Sequence, residues 1–428
     1  VPQASLKCSP NVLRKAAKRA LLLLSLLSTP SCFNTTVDQT VGLSVPIRSK
    51  EFAPEMAKVA HTPWISGNKV RTLPNGDSFF PPMLAAVKKA KRTITFETFA
   101  FVDAPVTREF SDALAAKARE GVAVHMILDK VGSRKAGKDN LKFLREAGVD
   151  LHFFHPVNYF FPQRSNNRTH RKILVVDGHI AFTGGAGFAH AWSGNAHSPQ
   201  HWRDTQYEVR GPAVTLFQKS FNENWKELTG TELRGILYFP SLPSAGSDRV
   251  QVLSDSPFDD TQAIAHSFLA AINGARESLV MEQSYFVPNT DFRNALLRAA
   301  ARGVKIEVLV PNHLVDSKPT RYASQNYWAP FLKSGIRIYE YVPTMMHCKL
   351  LVADGRFSIV GSANLDNRSF FINDEINLHL DSPAFAREQT LMFRRDLTKA
   401  REITLKILPE VLAPGYKRFF ARFIESQL

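Results

Sequence analysis

The chain has 428 residues, 44% hydrophobic and 22% charged, which supplies one large core or two of ordinary domain size and excludes a disordered chain. Its 54 Lys plus Arg against 39 Asp plus Glu leave a formal charge of +15, which favours a polyanionic partner, lipid headgroup phosphates or nucleic acid, without choosing between them. The three cysteines, Cys8, Cys32 and Cys348, stand far apart with no C-x-x-C pair, so neither a disulfide framework nor a zinc site is indicated.

Residues 1–60 read as a leader or membrane-proximal segment. Arg14, Lys15, Lys18 and Arg19 precede the apolar run Ala20 to Leu27 and then Ser28 to Cys32, the layout of a secretory or lipoprotein leader. The run falls far short of the roughly 18 to 20 residues a spanning helix needs. Thr29, Pro30 and Ser31 are a poor match to the small and aliphatic residues that would precede a lipidated Cys32.

Beyond the leader the chain is one unit written twice. In a first half, residues 61–235, the pattern predicts a helix from Phe79 to Lys91, a strand from Thr93 to Phe101, and a helix from Val106 to Glu120 that stops at Gly121. A strand from Val122 to Asp129, a helix from Asp139 to Glu146 and a strand from Val149 to Phe154 follow. The second half, residues 236–428, opens on the Pro-, Ser- and Gly-containing stretch Tyr238 to Gly246 and repeats the order. Its helices are predicted at Ala263 to Ala275, Asp291 to Arg302 and Tyr327 to Lys333, and its strands at Ser278 to Phe286, Val304 to Val310 and Ile336 to Tyr341. The alternation implies an α/β fold: two halves related by a pseudo-twofold axis, each a mostly mixed sheet flanked by helices.

Each half carries His-x-Lys-x-x-x-x-Asp: His170, Lys172 and Asp177, then His347, Lys349 and Asp354. One such match is weak, but two at equivalent places in a repeat are strong. Alternate residues of a strand project on one side, so each histidine should emerge with its lysine. Asp177-Gly178 and Asp354-Gly355 are favoured hairpin turns that bring Gly184-Gly185, or Gly361 to Asn364, back beside them. A site is then expected where the halves meet.

The paired motifs, their Gly-Gly and Gly-Ser-Ala-Asn tails, and the run Ser362 to Glu375 resemble the cardiolipin synthase branch of the phospholipase D superfamily, over roughly residues 65 to 428. The resemblance implies that the motif residues His170, Lys172, Asp177, His347, Lys349 and Asp354 form the catalytic set. One motif histidine attacks phosphorus and the other protonates the leaving alcohol; His170 is assigned attack and His347 the acid/base part. It further implies that an acid from the opposite half orients each histidine, Glu375 for His170 and Asp204 for His347. Lys172 and Lys349, with Ser362 and Asn364 as neutral phosphate-binding donors, would offset charge on the phosphoryl oxygens. No metal and no cofactor are expected. The expected partners are a phospholipid and an anionic membrane surface rather than nucleic acid. One monomer would suffice for the site, placed peripherally at a bacterial membrane or envelope.

Asp177 and Asp354 are better read as turn formers than as catalysts. His152, His155, His179, His190, His197 and His201 are expected on surfaces or loops, and Glu97 and Glu282, at equivalent strand positions, are expected to be structural. Trp192 and Trp202 border the substrate entrance or belong to the core. Where the second motif has Asn364 the first has Gly187, so the first half lacks one phosphate donor. Tyr416 to Ile424 mixes cations with aromatic residues at helical spacing, suiting either an anionic membrane interface or a packed terminal helix. A superfamily nuclease and a lipid-binding scaffold are the competing readings. The Asn-Arg-Ser and Asn-Asp-Glu tail favours lipid over DNA, and the intact histidines, lysines and acids disfavour the scaffold.

Overall fold

The computed structural model describes residues 44–156, 165–257, 259 and 261–428. Arg14 to Cys32, where the leader pattern falls, and Cys8 lie outside the described residues.

Strands of the first half are β1 (Ile65–Pro74), β2 (Thr93–Thr98), β3 (Ala123–Asp129), β4 (Asp150–Phe154), β5 (Ile173–Val176), β6 (Ile180–Gly184) and β7 (Thr205–Arg210). The second half contributes β8 (Asp248–Asp255), β9 (Ser278–Gln283), β10 (Lys305–Pro311), β11 (Arg337–Tyr341), β12 (Lys349–Ala353), β13 (Phe357–Gly361), β14 (Glu375–Asp381) and β15 (Ala400–Ile403). All fifteen join one sheet in the order β15-β11-β10-β9-β12-β13-β14-β8-β1-β7-β6-β5-β2-β3-β4. Walking outward from the central antiparallel β1–β8 pair, the two halves present corresponding strands in the same order. The repeat read in the sequence is therefore a structural duplication about that pair.

In each half β2–β3–β4 or β9–β10–β11 runs parallel and the rest antiparallel. Parallel neighbours need a crossover, supplied by the helices Pro105–Arg119 and Thr290–Ala301. Helices cover both faces, so the inner strands bury both sides; every residue of β2 is buried.

The helix Ala263–Gly274 is apolar on all sides and buried at every residue but Asn273. An all-round apolar helix needs a cover on the side away from its sheet. Residues 44–60 provide it: Ile47, Phe52, Met56 and Val59 share its core, Phe52 meets Phe357 edge-on at 5.1 Å, and Ile47 N–H donates to Gly274 O at 3.1 Å. These residues belong to the second half's core, which corrects their assignment to a separate leader segment.

The motif aspartates sit in the hairpin turns β5–β6 and β12–β13, with φ of 52° at Asp177 and 50° at Asp354 followed by Gly178 at 65° and Gly355 at 60°, the left-handed pair a two-residue hairpin turn requires. Asp177 accepts from the backbone N–H groups of Lys91, Arg92 and Thr93. Asp354 accepts from those of Arg276, Glu277 and Ser278 at 2.8–3.0 Å. Both thus lie at the far end of their hairpins from the motif histidine, tying the turn to the start of β2 or β9. This corrects their grouping with the catalytic residues: each carboxylate is spent on three backbone donors. Because Asp354 is buried, Asp354→Ala strands those donors and should cost about 3 kcal/mol. Urea unfolding should show the lower midpoint, and protein that remains folded should keep its His347 chemistry.

Candidate active site

The motif histidines precede their strands. β5 begins at Ile173 and β12 at Lys349, whereas His170 and His347 lie in extended chain that leaves its own sheet to bond the other half. His170 N–H donates to Asp374 O at 2.8 Å and Asp374 N–H to Arg168 O at 2.9 Å; His347 N–H donates to Arg203 O at 2.7 Å and Arg203 N–H to Met345 O at 2.9 Å. Backbone groups lost from one sheet are thus satisfied across the seam, which registers the halves at the histidines themselves. Each lysine turns back onto its histidine, Lys172 Nζ donating to His170 O at 2.6 Å and Lys349 Nζ to His347 O at 2.7 Å.

The side chains cross the seam too. Glu375, 205 residues from His170, accepts from its Nδ1 at 2.9 Å, and Asp204, 143 residues from His347, accepts from its Nδ1 at 2.8 Å. Binding Nδ1–H to a carboxylate fixes ring and tautomer and leaves the lone pair on Nε2. All four groups are buried. Burial pushes His170 down to about 4, Glu375 resisting and the Lys172 and Lys349 ammonium groups adding to the fall. Burial would raise Glu375, yet His170, Lys172 and the Ser362 hydroxyl outweigh it and hold the acid at about 2. His347 is lowered by burial and by Lys349, against Asp204. Lys172 and Lys349 are both lowered, burial being the largest cause. Two desolvated lysines beside the two imidazoles suit an anion, whose arrival would favour the lysines' charged form.

The family model described as "Cardiolipin synthase, PLD-like domain" matches residues 83–225 and 268–397, one stretch in each half. The chain belongs to this phospholipase D-like family. It is 34% identical over 338 residues to cardiolipin synthase 2 of Bacillus cereus, covering 78% of this chain and 66%, just under two thirds, of that relative. It is likewise 34% identical over 349 residues to cardiolipin synthase A of Pseudomonas fluorescens, covering 81% of this chain and 72% of the relative. In fold it is similar to a phosphatidylserine synthase of Haemophilus influenzae, with a TM-score of 0.65 at 13% identity over 88% of this chain and 99% of that one. A polyphosphate kinase of Porphyromonas gingivalis shares the fold at a TM-score of 0.53 and 16% identity, over 85% of this chain and 52% of the kinase.

Within this phospholipase D-like frame the half-sites differ. Ser362, expected to meet phosphate, instead donates to Glu375 and accepts from Ile376 N–H at 2.9 Å. Its hydroxyl is buried and committed, so it positions the acid, which corrects the phosphate-binding assignment. Gly185 occupies the equivalent place in the first half, where a Cβ would lie 2.3 Å from Asp204 Oδ1. There the Trp192 indole N–H, at 2.9 Å, and Thr205 N–H, at 2.8 Å, hold the acid instead. Asn364 accepts from Ser284 Oγ at 2.9 Å, and Ser284 accepts from Lys349 Nζ at 2.6 Å. That chain occupies the Asn364 oxygen and leaves its NH2 as a donor. Gly187, the counterpart of Asn364, packs where a Cβ would be 2.8 Å from Ala100 Cβ.

Trp202 stacks on the His347 ring at 5.5 Å and 29°, and Trp192 meets it edge-on at 5.4 Å. Trp192 and Trp202, expected at the entrance or in the core, thus bracket one imidazole. Among the described residues His170 has one aromatic ring against it, Phe99, edge-on at 5.5 Å. Glu97 and Glu282 lie beneath the motifs, pushed by burial to about 7 while Arg171 and Arg203 respectively pull them down. Glu97 accepts from Thr169, the residue before His170, and from Asn224 Nδ2 at 2.7 Å. The remaining histidines serve elsewhere: His152 bonds Asp150, His155 bonds Glu227, His179 bonds Asp177 O, and the rings of His190 and His197 meet His201. Among the described residues no group of three or more His, Cys, Asp or Glu could hold a metal ion.

Two contributors escape a reading of the sequence. Buried Arg203 joins Asp396 at 2.8 Å to the backbone carbonyl of Asp204 at 2.7 Å and so fixes the segment that carries the acid. Its neighbour Asp204 is adjacent in sequence, but Asp396 lies 193 residues away. Ser284 stands on the turn out of β9, next to the Gln283–Lys349 register pair, and only that register reveals it.

Proposed function

We propose that the chain is a phosphatidyltransferase of the cardiolipin synthase type, taking phosphatidylglycerol as donor and a second phosphatidylglycerol, or a related alcohol, as acceptor. The observation that carries this is the pair of crossed histidine–carboxylate contacts, which present two reactive nitrogens in different states of proton demand beside two lysines. Neutral His170 attacks phosphorus through Nε2 while the bond to the glycerol oxygen breaks. His347, as imidazolium, gives that oxygen its proton. The phosphatidyl group rests on His170. An acceptor hydroxyl then returns a proton to His347 Nε2, its oxygen bonds phosphorus, and the phosphorus–nitrogen bond breaks to regenerate neutral His170. Lys172, Lys349 and the Asn364 amide balance charge on the non-bridging oxygens of each five-coordinate state. Water as acceptor would make the same site a phospholipase, so the acceptor must be held well enough to outcompete it.

The names of the matched relatives and the +15 charge support an anionic phospholipid membrane as the place of action, with the protein peripheral to a bacterial membrane or envelope. No described helix is long and apolar enough to cross a membrane. Purified protein incubated with a phospholipid panel, and separately with single-stranded DNA, tests the reading by mass spectrometry. Cardiolipin with free glycerol is the expected product; phosphatidic acid alone would assign a hydrolase, and cut DNA would overturn the lipid reading.

A further inference from the structure

The helix Gly415–Phe423 carries Tyr416, Phe419, Phe420 and Phe423, which are 63, 56, 65 and 60% exposed. Their spacing, i, i+3, i+4 and i+7, puts all four on one stripe, and the three phenylalanine rings meet one another on it. The helix packs through its other side, where Ala421 is buried against Val287 and Ala323. Lys417 and Arg422 flank the stripe, and Glu425, the acidic residue of the turn that follows, is taken up by Arg293 at 3.1 Å and by Tyr327. An aromatic stripe edged with cations matches the boundary of an anionic bilayer, where rings enter the acyl margin and ammonium and guanidinium groups meet phosphates.

The helix is also tied to the active site. Arg368 donates backbone N–H to Leu428 O and Nε to Gln427 O, both at 2.9 Å. Asn166 Nδ2 donates to Gln427 Oε1 at 2.8 Å, and Arg368 Nη2 donates to Asn166 Oδ1 at 2.8 Å. Asn166 lies just ahead of His170 and Arg368 just beyond Asn364, so the short turn Glu425–Gln427 that follows the helix is clamped by the segments that deliver both half-sites. A bilayer seated on the stripe would lie beside the place where a lipid phosphate is needed.

We infer that the Tyr416–Phe423 stripe is the surface by which the protein docks on an anionic lipid bilayer, holding the cleft against its lipid source. This rests on the phospholipid reading of the site, so the test separates the two. The full chain is mixed with vesicles of phosphatidylcholine with and without phosphatidylglycerol and sedimented, and turnover is measured on a short-chain, monomeric phosphatidylglycerol. The triple variant Phe419→Ser, Phe420→Ser, Phe423→Ser should lose binding to the phosphatidylglycerol vesicles by about tenfold or more and keep short-chain turnover and its unfolding midpoint. A single Phe420→Trp should give a blue-shifted emission component, absent from wild type, when those vesicles are added. Unchanged sedimentation of the triple variant, or no added shift from Phe420→Trp, overturns the docking surface whatever the enzyme does to lipids. If the triple substitution instead dissolves a dimer of wild-type chains without altering vesicle binding, the stripe is a chain–chain contact and the inference fails. Absence of short-chain turnover in wild type would count against the phosphatidyltransferase reading while leaving the vesicle result to judge the surface.

Discussion

His170→Ala should abolish the acid-labile, alkali-stable label that wild type retains when it is quenched in neutral detergent during turnover of phosphate-labelled phosphatidylglycerol, and should cut kcat by about 10^5-fold. The reasoning is that burial takes the His170 proton affinity down to about 4, so the ring is neutral over the physiological range with Nδ1–H committed to Glu375. Its Nε2 lone pair is free at every turnover. His347→Ala should keep the nucleophile, so labelled protein should still form, slowly, and persist because no base remains to activate the acceptor. Label that survives in His170→Ala and vanishes in His347→Ala would reverse the two roles. Loss of label in both, with circular dichroism unchanged, would argue against a covalent intermediate altogether.

The parts of this architecture that repeat locally were legible from the sequence, because helix periodicity and the His-x-Lys-x-x-x-x-Asp hairpin are short-range properties. The helices Pro105–Arg119 and Thr290–Ala301 fall within a residue of their expected positions, and each ends before a glycine with positive φ, Gly121 or Gly303. What crosses the seam was not legible in that way. Glu375 and Asp204 were reached only through family resemblance, since nothing local ties them to histidines 205 and 143 residues away. Ser362 was misassigned for the same reason. Beside a motif histidine a serine reads as a phosphate donor, and only the neighbouring β14, which starts at Glu375, shows that the hydroxyl is already taken. Residues 44–60 were set apart because a short amphipathic helix after a leader pattern carries no sign of the apolar helix Ala263–Gly274 that it covers.

Glu375→Gln and Asp204→Asn should each lower kcat on phosphatidylglycerol by about 10^3-fold, since an amide can present NH2 to Nδ1 and favour the wrong tautomer, but they should fail in different ways. Glu375 raises the His170 proton affinity against burial and Asp204 does the same for His347. Removing either charge therefore moves its own histidine to still lower pH. In wild type, kcat/KM should hold on the acid side until pH falls to about 4, where His170 becomes protonated. It should fall on the alkaline side as His347, itself lowered below its ordinary value, gives up the proton it must deliver. Asp204→Asn should bring the alkaline limb in to lower pH and leave the acid limb in place; Glu375→Gln should shift the acid limb alone. A phosphatidyl ester of p-nitrophenol sharpens the contrast, because its leaving oxygen departs without a proton. The first-turnover burst of p-nitrophenol should recover most of its rate in Asp204→Asn and His347→Ala, and none in Glu375→Gln or His170→Ala. Equal recovery in all four variants would mean that the two imidazoles do not divide attack and proton transfer between the halves.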